Sequence, residues 1–381
     1  MASVYFDHNS TTALKTEVLE AMLPFMASQH GNATSRHSFG RTARAAVEHA
    51  REQVAAAVGA YATQIVFTAS GTEANNFAVN GICSKLDAGQ ILTSAIEHPC
   101  VSRPAIALQA HGHKAHSIKV DSNCNVNLAH LQKLLIAPTN LVSAMLVNNE
   151  TGVIQDIAKM AEVAREHKAC MHTDAVQALG KIPVDFFALG VHAMTVSSHK
   201  IGGPLGAGAL VLDKRIDISP LLYGGGQEKG LRSGTENVAA IVGFGMACDL
   251  ASKNLSVFDV HTANLRDHLE TGLAKLNAVI FGYNSLRVAN TSFFAFENIE
   301  GETLVTALDK AGFAVASGSA CSSDSTEPSH VLLAMGVAED LARGAVRVSF
   351  GLSNTMQEVE HFLLTLKKEL SRLRNLTAIA A

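Results

Sequence analysis

The 381-residue sequence has no tryptophan, only eight prolines and only 17% charged residues. Four tyrosines and sixteen phenylalanines supply all its phenyl rings, so aromatic packing falls mainly to a side chain with no polar handle. Six cysteines (83, 100, 124, 170, 248 and 321) show no C-x-x-C spacing, which argues against a zinc site or a disulfide framework. Cys83, Cys170 and Cys248 sit among apolar neighbours and read as core residues. No apolar run reaches the roughly 18 residues of a membrane span. The longest, AIVGFGMACDLA at 240–251, is interrupted by glycines. The opening MASVYFDHNSTT lacks a basic segment followed by an apolar one, so no secretory signal is expected. A formal net charge of -4 gives no broad basic surface for nucleic acid or an anionic membrane. These absences predict a cytoplasmic protein with neither kind of partner.

What is present is a globular composition, 48% hydrophobic with 29 glycines. Short β-branched runs alternate with Ala- and Leu-rich stretches through the first two thirds. Strands are predicted at 64–68, 90–94, 141–147, 169–174, 192–198 and 207–212, and helices at 40–58, 73–86 and 156–168. Several of these strands are apolar almost throughout, as in a parallel sheet covered by helices on both faces. Ligands of such α/β folds bind at the carboxyl ends of the strands. HGHKAH at 111–116 looks metal-like but has no carboxylate or cysteine company, and is read as a solvated loop. Beyond residue 255 the order changes. A helix at 257–276 leads to strands at 278–282 and 290–296, a helix at 302–311 and a strand at 313–316. A Ser-rich stretch, a helix from 329, the strand AVRVSF and a final helix follow, the last opening with the capping-box spacing TMQE. The expected architecture is a large α/β domain, 13–255, and a smaller α+β domain formed by 1–12 and 256–381.

Two strand ends carry chemistry. HTDAVQ puts Asp174, and SSHKIGGP puts Lys200, at carboxyl ends that a parallel sheet would bring to one edge. A lysine that forms a Schiff base, with an acid that keeps a pyridine nitrogen protonated, is the pairing pyridoxal phosphate requires. A surface lysine and a turn-capping aspartate are the plainer alternatives. QIVFTASGTEANNFAV supplies a strand, a small-residue turn and a helix start, where Gly71 and Thr72 offer phosphate donors or simply make a turn. His98, just past another strand end, either stacks on a planar cofactor and moves protons or caps a loop. GGPLGAG at 202–208 lies between strands with no helix opening after it, so it is not a dinucleotide fingerprint.

Taken together, SSHKIGGPLGAGAL, HTDAVQALGKIPVD, VNNETGVIQDI, GGGQEKGLRSGTEN and ASGSACSSDSTEPSHVL resemble the cysteine desulfurases, in order and over nearly the whole chain. Their wording leans toward the NifS-like and IscS-like branch. The sequence departs from that pattern modestly, with Ala33 where proline is usual and Ser10 where alanine is usual. The resemblance implies the pyridoxal-phosphate transferase fold type I, with a mostly parallel seven-stranded sheet and a smaller C-terminal α+β domain. It implies Lys200 as the lysine that holds the cofactor and takes the substrate α-proton. Asp174 would serve the pyridine nitrogen, and His98 would stack on the ring and shuttle protons. Gly71, Thr72, Ser197 and His199 would bind phosphate, joined by Thr235 from the partner of a homodimer. Gln177 and Asn149 would meet the phenolic oxygen and the substrate side, while Arg347, with Asn32, would hold the substrate.

Cys321, on the small-residue stretch 316–330, would be the nucleophile that collects sulfur from L-cysteine as a persulfide, releasing L-alanine. An iron–sulfur scaffold or another sulfur acceptor would be the partner. No resident metal is expected, with Cys321 at most a transient ligand of a nascent cluster. A selenocysteine lyase, a small-amino-acid aminotransferase and a non-catalytic sulfur-transfer scaffold are the competing readings.

Overall fold

A computed structural model describes residues 3–318 and 327–380. Strand β1 (Val4–Tyr5) precedes a seven-stranded sheet made of β2 (Ile65–Thr68), β3 (Gln90–Ser94), β4 (Lys114–Ile118), β5 (Thr139–Ser143), β6 (Cys170–Asp174), β7 (Ala193–Ser197) and β8 (Gly208–Leu212). Its spatial order is β2-β8-β7-β6-β5-β3-β4. Strand β8 is antiparallel to both neighbours, and every other pairing is parallel. The carboxyl ends of β2, β3, β5, β6 and β7 therefore open on the same edge.

The strands are apolar on both faces because helices cover both. Phe67, Leu92, Val142, Met171 and Met194 belong to one core with helices Ser38–Ala57 and Val238–Lys253. Their chain neighbours Val66, Ile91, Leu141 and Ala193 point the other way, into a core with helices Gly71–Cys83 and Pro99–Ala107. This is the two-residue alternation of a strand serving two layers. The apolar stretch at 240–251 is the buried part of a core helix. Among the described residues no single helix is long and apolar enough to cross a membrane.

Strand β4 corrects the solvated loop expected at 111–116. It pairs in parallel with β3 at the sheet edge, with Lys114 and His116 exposed and Ile118 buried. An edge strand keeps one side in water, so its sequence carries little of the apolar signal of its neighbours.

A second sheet, β12-β13-β10-β9, comprises β9 (Val279–Ile280), β10 (Thr291–Ala295), β12 (Ala316–Ser317) and β13 (Val346–Ser349). Strand β11 (Phe313–Ala314) pairs in parallel with β1. Helices Leu255–Lys275, Gly301–Lys310 and Met356–Ala380 pack on this part of the chain. Its core is built from phenylalanine: Phe6, Phe313, Phe350 and Phe362 meet with ring centroids 5.0 to 6.0 Å apart. Such aromatic pairs add about 0.5–1.5 kcal/mol beyond burial. Thr355 and Glu358 form the capping box expected for the last helix, with the Glu358 N–H donating to Thr355 Oγ1 at 3.3 Å and the Thr355 N–H to Glu358 Oε2 at 2.8 Å.

Candidate functional site

At the carboxyl edge of the large sheet lies a cavity of about 400 Å³. Each wall is set by a strand end. After β2 the chain turns at Ser70, whose hydroxyl accepts from the Glu73 N–H at 3.0 Å and caps the helix that begins at Gly71. A Cβ at Gly71 would stand 3.0 Å from Val176 Cγ2 and 3.4 Å from Ser197 Cβ. Glycine thus leaves the helix N-terminus, with Thr72, bare toward the cavity. Opposite, at the end of β7, Ser197 Oγ is buried with no hydrogen-bond partner among the described residues. That unsatisfied hydroxyl beside free helix N–H groups is suited to an anion.

Asp174 closes β6. Its carboxylate accepts from Asn75 Nδ2 at 2.6 Å and from the Val176 N–H at 2.9 Å. It therefore does cap a turn, yet it also faces the cavity. Burial raises its affinity for a proton, against the opposing pull of these donors, of His98 when that ring is protonated, and of the Lys200 charge. A cation placed against it would satisfy a buried carboxylate that no salt bridge reaches among the described residues.

His98 follows β3 and caps the helix that starts with Pro99, a residue suited to the first helical position. Its Nδ1 accepts from the Cys100 N–H at 3.2 Å and lies 2.8 Å from Cys100 Sγ. The neutral ring then carries its proton on Nε2. Burial holds the imidazole below its ordinary range, so the neutral form prevails near pH 7. His199 lines the same cavity, and burial with the Lys200 charge lowers it to about 4.

Lys200 follows β7 and reaches across to the N-terminal segment, donating to the carbonyls of Asn9 and Ser10, each at 2.6 Å. Arg347 on β13 enters from the second sheet. Its Nη1 donates to Asn149 O at 2.8 Å, and its Nη2 to Asp7 Oδ1 and Ser10 Oγ, both at 2.8 Å. Arg347 Nε is buried and unpartnered among the described residues. The cavity thus brings together Gly71, Thr72, His98, Asn149, Asp174, Gln177, Ser197, His199, Lys200 and Arg347, all expected from sequence. It does not gather Asn32, which is exposed and accepts from Thr34, or Thr235, which lies on an exposed loop. Cys321 lies outside the described residues.

Sequence reading missed three contributors. Asn9 is the hub of the floor: its carbonyl accepts from Gln177 Nε2 at 2.8 Å and from Lys200, and its side chain meets Thr291, Asn290 and Lys181. Asn75 holds Asp174, one turn into the helix that starts at Gly71. Lys181 is buried four residues after Gln177. The polar run FDHNSTT directly after a strand was the available signal for Asn9, and the Gly71–Asn75 helical spacing for Asn75.

The aminotransferase class-V family matches residues 4–362. A cysteine desulfurase IscS from Dictyoglomus turgidum is 41% identical over 378 residues, 98% of this chain and 96% of that one. Among solved structures, a NifS-like protein superposes with a TM-score of 0.92 at 38% identity, covering 97% of this chain and 99% of its own. A structure described as SspA in complex with cysteine gives a TM-score of 0.80 at 31% identity, covering 91% and 98%.

Proposed function

Since this chain belongs to the aminotransferase class-V family and, within it, to the cysteine desulfurases, we propose that it moves sulfur from L-cysteine to Cys321 with pyridoxal 5'-phosphate bound in the cavity described above. The observation that carries the reading is the convergence of an anion cradle, a buried carboxylate, an imidazole and a lysine on one 400 Å³ space. The donor set fits that cofactor. Gly71, Thr72, Ser197 and His199 suit its phosphate, and the unpartnered Ser197 hydroxyl gains an acceptor there. Asp174 suits a protonated ring nitrogen, and His98 suits a ring face. When bound, the cofactor supplies an electron sink that acidifies the substrate α-proton and weakens its bond to sulfur.

The chain's own residues do the rest. Arg347, already fixed by Asp7 and Asn149, takes the substrate carboxylate, a planar task for which a guanidinium is suited. Lys200 accepts the α-proton at Nζ. The Cys321 thiolate attacks the substrate sulfur, forming an S–S bond as the C–S bond breaks. The bonding pair stays with the substrate β-carbon, which takes one proton, Lys200 returns the proton to the α-carbon to complete alanine, and the persulfide remains on Cys321. His98, with its proton on Nε2, is placed to deliver protons within the cavity. In a homodimer, Thr235, which is exposed and outside this chain's own cavity, would join the phosphate site of the neighbouring subunit. The sulfur acceptor is an iron–sulfur scaffold or a related carrier protein, in keeping with the IscS and NifS names of the relatives.

The test is to incubate the purified protein and a Cys321→Ser variant with L-cysteine. The parent should bind pyridoxal phosphate and yield alanine and sulfide in equal amounts when a thiol reductant is present. The variant should bind cofactor and cysteine normally yet release almost no sulfide. A keto acid in place of sulfide, or full turnover by the variant, would refute the reading.

A further inference from the structure

Cys100 lines the cavity, 8% exposed, and the sulfur transfer proposed above does not use it. Its thiol sits between two side chains. Asn75 Nδ2 donates to Cys100 Sγ at 3.1 Å and to Asp174 Oδ2 at 2.6 Å. His98 Nδ1 stands 2.8 Å from the same sulfur and accepts from the Cys100 main-chain N–H at 3.2 Å. Asp174 on β6, Asn75 on helix Gly71–Cys83, Cys100 on helix Pro99–Ala107 and its cap His98 thus form one hydrogen-bonded chain across three elements.

The direction of each link follows from its neighbours. An ionised carboxylate only accepts, so the Asn75 amide turns its nitrogen to Asp174, and the second hydrogen of that nitrogen goes to the sulfur. The sulfur is an acceptor toward Asn75 and keeps its own hydrogen for His98. Nδ1 already accepts from a main-chain N–H and so carries no proton of its own. Burial pushes the thiol up to about 12 and holds the imidazole below its ordinary range, so the proton stays on sulfur and no thiolate–imidazolium pair forms. Asp174 and Glu97 face the thiol, while Asp174, Lys200, His330 and Arg103 face the ring.

We propose that Cys100 is a positioning residue for His98, its thiol donating to Nδ1 so that the ring stays neutral, keeps its proton on Nε2 and is tied through Asn75 to Asp174. The proposal rests on the reading of His98 as the group that moves protons in the cavity. Of the two donors on Nδ1 the thiol is the closer. A donor to the neutral form disfavours the charged one, so the thiol opposes a second proton on the ring.

The test reads the ring nitrogens of histidine-labelled full-length protein against pH, in the parent, Cys100→Ser and Cys100→Val, with His98→Gln to assign the His98 signals. Serine keeps a donor at that position, and valine fills it without one. The charged neighbours are common to all three proteins, so they cancel in the comparison. In the parent and the serine variant, Nδ1 should be bare and Nε2 protonated near pH 7. In the valine variant the His98 protonation midpoint should rise by on the order of half to one pH unit, the worth of one neutral hydrogen bond. A proton on Nδ1 of the neutral ring in the parent overturns the proposal even if neither variant folds. So does an unmoved or lowered midpoint in the folded valine variant, or a serine variant shifted as far as valine. A parent that keeps no visible absorbance after pyridoxal phosphate is added and the excess removed would refute the cofactor reading, and the ring nitrogens would still decide the role of Cys100.

Discussion

The loop that carries Thr235 is anchored by a buried ion pair, and its removal has a calculable cost. Glu228 and Arg51 have side chains 4% and 5% exposed. The carboxylate accepts from Arg51 Nη1 at 2.7 Å, from Arg51 Nη2 at 2.8 Å and from the Phe67 N–H on β2 at 2.8 Å. Glu228 and Lys229 both adopt left-handed backbone, with φ of 48° and 61°. Deleting one member of a buried pair costs about 3–5 kcal/mol, because the other charge is stranded. Here Arg51 would keep the Ile65 carbonyl and a contact with the half-exposed Glu48, which places the cost near the lower end. Alanine keeps the Cβ, so the left-handed backbone at residue 228 gives nothing back. Glu228→Ala should therefore destabilise the protein by about 3–4 kcal/mol, measured from the shift of a urea unfolding midpoint at constant slope. Adding Arg51→Met should recover more than half of that loss, because the stranded charge is gone. A cost under about 1 kcal/mol for the single variant, or a double variant no better than the single, would refute the argument.

Burial pushes the Glu97 carboxyl up to about 8, against an unfolded value near 4.3. An acid raised in the folded state contributes stability that is complete below the unfolded value and fades as pH climbs to the folded one. Glu97→Gln should therefore lose less thermal stability than the parent between about pH 5 and pH 8. Melting curves of equal slope against pH would contradict this. Arg347→Lys should raise KM for L-cysteine about tenfold, ~1.4 kcal/mol, with a much smaller change in kcat, since an ammonium cannot span the Asn149, Asp7 and Ser10 oxygens and the substrate together. An unchanged KM in steady-state kinetics would remove Arg347 from carboxylate binding.

The parallel strands and the residues at their ends were legible because the sheet is covered twice and ligand chemistry concentrates at one edge. Asp174, Lys200 and His98 sit one to four residues past an apolar run, a position visible in one dimension. Strand β4 escaped because an edge strand spends half its residues on water. Helix Val238–Lys253 was read only as an apolar stretch, since a helix packed on several sides has no polar face to mark its period. Asn9 and Lys181 escaped for another reason: their partners lie up to 340 positions away, so no local pattern reports them. Thr235 and Asn32 came from resemblance alone, and nothing within one chain gathers them to the cavity.

The N-terminal segment also sets when the site can exist. Asn9 donates its main-chain N–H to Ser349 Oγ, and Asp7 meets Arg347, each across 340 positions. A ribosome adding about 5–20 residues per second needs roughly 17–68 s to span that distance. Through that interval the strands β2 to β8 can pair while the floor of the cavity waits. The half-built chain has its cradle but not Arg347, so the wall that Arg347 contributes to the cavity closes only when synthesis is nearly finished.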